Sequence, residues 1–175
     1  VGWFARDAAS LERVGRVLLG EDQGSFTFRR LLLAEDAMEQ VVATAHPRFA
    51  SIARALERRL SPAQRLRPGD PEGLTFWADC FRILQGREVH RVHGAWFENS
   101  KPLIGEEIAE RLAWTATLTE QEEADCLAQR AKLTARLQEM LGDDGLMLLP
   151  SAPDAAPRLD ADLPTLREHR LRVLA

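Results

Sequence analysis

Apolar residues along the chain fall into two kinds of pattern. In long stretches they recur every three or four positions, the spacing of one helix face; in short stretches they run unbroken, as in a strand buried on both sides. Asp7 is placed to cap a first helix whose stripe is Leu11, Val14, Val17 and Leu18 and whose stop is Gly20. Behind Pro47, the residues Phe49, Ile52, Ala53, Leu56 and Leu60 form a second stripe, opposite Arg54, Glu57, Arg58 and Arg59. A longer pattern begins at Glu72, carries Leu74, Trp77, Phe81, Leu84, Val89, Val92 and Trp96, and predicts a helix to about Asn99 with Gly86 as its weak point. After Pro102, helices are predicted over 106–117 and 119–141. The second opens Thr119-Glu120-Gln121-Glu122 in capping-box form and stops at Gly142.

The unbroken runs are Arg30-Leu31-Leu32-Leu33-Ala34 and Leu146-Met147-Leu148-Leu149. The first ends in Glu35-Asp36, with a helix starting near Asp36; the second is closed by Pro150-Ser151-Ala152-Pro153 and an irregular segment containing Pro157 and Pro164. Ser61 to Pro71 is a proline-rich connection in which Arg65-Leu66-Arg67 can form a short strand, and a last helix is predicted from Thr165 with Leu166, Leu171 and Val173 inward. Short buried strands separated by long helices predict an α/β fold, part of a mixed sheet covered by helices, in which this chain is mostly helical with two or three buried strands. Two strands make a poor sheet, so further strands are expected outside the segment.

Composition narrows the classes. With 175 residues, 45% of them hydrophobic, the chain has the length to form one domain or a large part of one. A net charge of -4 without a lysine-rich run argues against nucleic acid as a partner. No apolar run reaches the ~20 residues of a membrane-spanning helix, and no export leader is visible, so a cytoplasmic protein is expected. Cys80 and Cys126 lie far apart in helical patterns, which suits buried, reduced thiols. The opening Val1-Gly2-Trp3-Phe4, apolar and without an initiator methionine, reads as a truncation.

Candidate chemistry is thin. His90 and His93 sit three apart near Glu88, but no third ligand converges and His46 and His169 are remote in sequence, so no metal site is assigned. The glutamates Glu106, Glu107, Glu110, Glu120, Glu122 and Glu123 are explained by favourable placement in opening turns of helices. Of Trp3, Trp77, Trp96 and Trp114, three fall at apolar helix positions, where core packing is the simpler role. None of the six serines lies in a glycine-rich nucleophile motif; only Gly24-Ser25 adjoins a glycine. Of the two lysines, Lys101 and Lys132, the second is mid-helix among polar neighbours, where its amine stays protonated.

Several stretches resemble the amidase signature family, and within it the indole-3-acetamide amidohydrolase-like branch. Val1-Gly2-Trp3-Phe4-Ala5-Arg6-Asp7 is similar to the segment following the family's catalytic core, where the branch usually reads Asp-Thr-Val-Gly-Trp-Phe-Ala-Arg-Asp. Phe81-Arg82-Ile83-Leu84-Gln85 with Glu88 and His93-Gly94-Ala95-Trp96 resembles the family's long helix, and Gly105-Glu106-Glu107 to Arg111 the short helix after it. Leu148-Leu149-Pro150-Ser151-Ala152-Pro153 with Pro157 looks like the family's strand and Pro-Thr-x-Pro loop, with serine in place of threonine.

The resemblance implies hydrolysis of a carboxamide to carboxylate and ammonia through an acyl-enzyme. It implies a serine nucleophile, a second serine in a cis peptide, a lysine base and backbone donors for the oxyanion, with no metal or cofactor. The lysine and the serine-rich signature match no stretch here, so no catalytic residue is carried over, and residues 1–175 are read as a partial amidase domain cut at both ends. By the same resemblance Arg111, Pro150 and Ser151 are the expected contacts with a small amide substrate, and the parent protein is a possible homo-oligomer. The other expectation is a catalytically empty, amidase-like protein-interaction module, as in a chloroplast import receptor of this branch.

Overall fold

The computed structural model describes residues 3–20, 27–162 and 164–165, and its elements follow the predicted order. They are α1 (Ala8–Leu19), β1 (Arg30–Ala34), α2 (Glu35–Met38), a 3-10 turn (Ala43–Ala45), α3 (His46–Glu57), β2 (Gln64–Leu66), α4 (Leu74–Ser100), α5 (Glu106–Thr115), α6 (Glu120–Leu141) and β3 (Gly145–Leu148). The helix expected from Thr165 lies outside the described residues.

The three strands form one sheet in the order β2-β1-β3, with every pair parallel. Leu31 stands opposite Leu146 and Leu33 opposite both Arg65 and Leu148. Leu31 and Leu32 are both fully buried. Neighbouring side chains of a strand point to opposite faces, so β1 is covered on both sides, the environment its unbroken apolar run predicts. Arg30 ties the amino-terminal edge together: its Nε donates to Asp144 Oδ1 at 2.6 Å and its Nη2 to the Leu141 carbonyl at 2.7 Å, where α6 ends.

The helix ends are built as their residues predict. Asp7 Oδ1 accepts the Ser10 N–H at 2.7 Å, and Thr119 and Glu122 exchange bonds in a full capping box. Gly142 closes α6 at φ 53°, in the left-handed region that favours glycine. Gly86, expected to weaken its helix, does the opposite. The 27-residue α4 runs through it without a break, and a Cβ there would lie 2.5 Å from Leu118 Cδ1 and 2.9 Å from the Trp114 ring. Missing a side chain, Gly86 lets α5 and the turn after it close on α4.

Between α4 and α6, Cys80 and Cys126 are buried free thiols. Burial first, and then the facing Cys80 thiol, push Cys126 up to about 12. Nearby, Glu123 receives Arg91 at 2.6 Å and Arg87 at 3.0 Å, and Arg87 also donates to the Leu118 carbonyl at 2.9 Å. These bonds, Arg91's first, hold the Glu123 carboxyl below the usual carboxylate range.

Much apolar surface is left open. Trp96 and Trp114 remain 47% and 37% exposed, against the expectation of core packing, because the helix faces that carry them are only half covered. No residue of α1 is buried, and its stripe of Leu11, Val14 and Leu18 faces solvent. The chain exposes 13093 Å², whereas a folded monomer of 19.6 kDa exposes roughly 8,600 Å².

Candidate functional site

In a parallel sheet all strands end on one side, and open α/β sheets collect ligands beyond those carboxyl ends. Here the three exits are α2 after β1, the turn at residues 67–73 after β2, and the proline-rich loop after β3. Acidic residues follow β1 directly. Asp36 is buried, and its carboxylate accepts the Gly69 N–H at 2.6 Å and the Ala37 N–H at 2.9 Å. Gly69 has no room for a side chain: a Cβ would come within 2.7 Å of Asp36 Oδ2 and 3.0 Å of the Leu74 nitrogen.

Arginines lock the surrounding turns. Arg65 reaches Glu35 at 2.9 Å, and Arg67 grips both oxygens of Glu39, one of them at 3.0 Å. That grip lowers the Glu39 carboxyl and raises the Arg67 guanidinium. From α6, Arg136 donates to the Pro68 carbonyl at 2.9 Å, to the Asp70 carbonyl and to Glu72 at 3.1 Å, while its guanidinium lies 5.6 Å over the Trp77 ring. The Val42 N–H donates to the Pro153 carbonyl at 2.9 Å, which brings the loop after β3 onto the end of α2.

A cavity of ≈ 560 Å³ opens between α4 and α6 beside Trp77, and two others are smaller. One, of ≈ 510 Å³, opens between α3 and the sheet; Leu33, Met38, Phe49 and Ala53 give it an apolar floor, and Glu35 and His46 stand among its polar lining. His46 is held by a bond of 3.1 Å between its Nε2 and the Val41 carbonyl. The other, of ≈ 370 Å³, lies between α4 and α5. Both fall within the roughly 300–1,000 Å³ of small-molecule sites.

The nominated residues divide between two places. Arg111, exposed on α5, lines the smaller cavity with Arg82, Gln85 and Trp114, and Arg82 lies 5.5 Å over the Trp114 ring. Pro150 and Ser151 do not line that cavity. They follow β3 at the sheet's carboxyl edge, Pro150 half-buried and Ser151 exposed. Ser61 Oγ is occupied structurally, accepting the Leu31 N–H at 3.2 Å and donating to the Pro62 carbonyl. Gly24-Ser25 and His169 lie outside the described residues. The Ser10 side chain meets a carboxylate, that of its helix cap Asp7, which also accepts the Ser10 N–H. Among the described residues no serine hydroxyl bonds to a lysine or histidine, so the arrangement can bind and position but pairs no serine with a nitrogen base. Asp36, Gly69 and Arg136 were not singled out from the sequence. The usable signal was an acidic pair immediately after an unbroken apolar run, which puts a carboxylate at the exit of a buried strand.

No family profile matches the chain. Amidase 1 of Arabidopsis thaliana is 24% identical over 204 residues, covering 100% of this chain and 48% of that protein. A solved amidase structure superposes with a TM-score of 0.74 at 19% identity, over 89% of this chain and 36% of its own. The chain is thus similar to amidases along its length and in its fold. It is also 26% identical to the chloroplastic outer envelope protein 64 of Arabidopsis thaliana, over 98% of this chain and 33% of that one. It therefore spans about half the length of the first relative and a third of the second. No helix among the described residues is long and apolar enough to cross a membrane.

Proposed function

We propose that this chain is the sheet-and-helix portion of an amide hydrolase, converting a carboxamide and water to a carboxylate and ammonia through a serine acyl-enzyme. The observation that carries the reading is the match to Amidase 1 along the whole chain, on a fold that superposes on an amidase. The greater length of those relatives and the uncovered apolar surface both support a domain extending beyond these residues. Within it, this chain supplies a wall of the substrate pocket. Pro150 and Ser151 present a backbone carbonyl and a hydroxyl at the sheet edge, groups able to hold a carboxamide N–H and C=O, and Arg111 contributes a cation from α5. The network of Asp36, Gly69 and Arg136 fixes the neighbouring turn.

A second reading, a catalytically empty module that binds other proteins, follows the other match, to a protein named for an outer envelope and not for a reaction. An assay on indole-3-acetamide and a simple aliphatic amide separates the two. It compares the 175-residue chain with the protein translated from its whole reading frame. Ammonia release by the longer protein alone is the expected result. No release by either favours the binding module, and release by the 175 residues alone would mean the nucleophile lies within them.

A further inference from the structure

Cys80 and Cys126 are the only cysteines of the 175 residues, and each is 6% exposed in the seam between α4 and α6. On α4, Cys80 shares a face with Trp77, Leu84, Arg87 and Arg91, at three-to-four-residue spacing. Two ties cross the seam, Arg87 and Arg91 to Glu123 at one end and Arg136 over the Trp77 ring at the other. Cys80 lies between Trp77 and Arg87 on its helix, and Cys126 between Glu123 and Arg136 on the other, so the ties bracket the two thiols on both helices. They meet there side chain to side chain.

The two thiols differ in access. Cys80 is part of the wall of the ≈ 560 Å³ cavity, with Trp77, Phe81 and Leu127, whereas Cys126 does not line it. A single buried thiol is inert. Two in contact, one of them reached from a cavity, can react in sequence.

We propose that Cys80 and Cys126 form a reversible disulfide that latches α4 to α6 when the protein meets hydrogen peroxide. In the first step the Cys80 sulfur attacks the peroxide. An S–O bond forms, the O–O bond breaks, and Cys80 becomes a sulfenic acid with release of one water. In the second, the Cys126 sulfur attacks the Cys80 sulfur. The S–S bond forms, the S–O bond breaks, and the departing hydroxide takes the Cys126 proton as a second water. The two thiols give up two electrons and the peroxide accepts them; a thiol reductant reverses the change by exchange.

What the latch stiffens follows from the elements joined to these helices. The turn before α6 rests on α4 at Gly86, Arg136 of α6 holds the Pro68 and Asp70 carbonyls after β2, and α6 runs into β3. Fixing α4 to α6 therefore steadies the framework behind the sheet, whether or not the chain belongs to an amide hydrolase. A bridge that closes so long a loop is expected to raise the melting midpoint by roughly 5–15 °C.

Intact mass and thermal melts of the 175-residue chain, before and after stoichiometric hydrogen peroxide, test this. Expected are a loss of about 2 Da for the two hydrogens removed, a non-reduced proteolytic fragment joining the two cysteines, and the rise in midpoint, all reversed by dithiothreitol. Cys126→Ala should stop at a sulfenic acid on Cys80, trapped by dimedone, and Cys80→Ala should leave Cys126 unmodified at the same dose. Separate oxidation of the cysteines without a link, links between two chains, or a link that leaves the midpoint unchanged or lowers it overturns the proposal. An unfolded chain can also close the bridge, so the ratio of linked to separately oxidised chain is measured again in concentrated urea. A higher ratio in the folded protein is expected, and an equal or lower one overturns the latch even where a variant fails to fold.

Discussion

Asp36 and Gly86 are small features with large leverage, since each is required by what approaches it. Replacing Asp36 with alanine strands the buried Gly69 N–H without an acceptor. An unmade bond of that kind costs about 1–3 kcal/mol, and a urea titration of Asp36→Ala should register a loss of that order. Gly86→Ala pushes a methyl group against Leu118 and Trp114, at distances where atoms must move. The overpacking costs about 1–3 kcal/mol and should lower the melting temperature, with helical circular dichroism retained below the transition. Both roles escape the sequence for one reason. A glycine in a helical pattern reads as a propensity defect, and only the position of a second helix turns it into a contact.

At the scale of elements, the helices were legible because periodicity and caps are local. Thr119 and Glu122 close their box from four consecutive residues, and the unbroken run at β1 announced a strand covered on both faces. What could not be read was how elements pair. Glu123 does stand in the opening turn of α6, as its sequence suggests, and it is also the anion shared by Arg87 and Arg91 of α4. Its carboxyl is held down in the folded chain, so its contribution is complete above the unfolded value of about 4.3 and fades as pH falls through the lower folded value. Glu123→Gln should therefore be less stable than the native sequence at pH 7. The gap between the two urea midpoints should narrow as the pH is lowered below about 4. A gap independent of pH would mean the carboxylate is not the stabilising group.

For the whole molecule, the amidase-like fold was legible from scattered blocks whose order and spacing agree, and the superposition on a solved amidase accords with it. The location of a site was less legible, since Arg111 on one side and Pro150 and Ser151 on another are joined only by a resemblance. The open faces of α1 and α4 predict that the 175-residue chain binds a fluorescent apolar dye and melts over a broad range. A sharp two-state transition without dye binding would contradict that. The parallel sheet also carries a consequence in time. Arg30 and Asp144, joined at the edge of β1, are 114 residues apart. At the roughly 5–20 residues per second of ribosomal synthesis, β1 waits about 6–23 s for its longer neighbour to emerge. Until then its apolar run has only β2 and passing helices for shelter, which makes sheet closure, a pairing of high contact order, a late event in its folding.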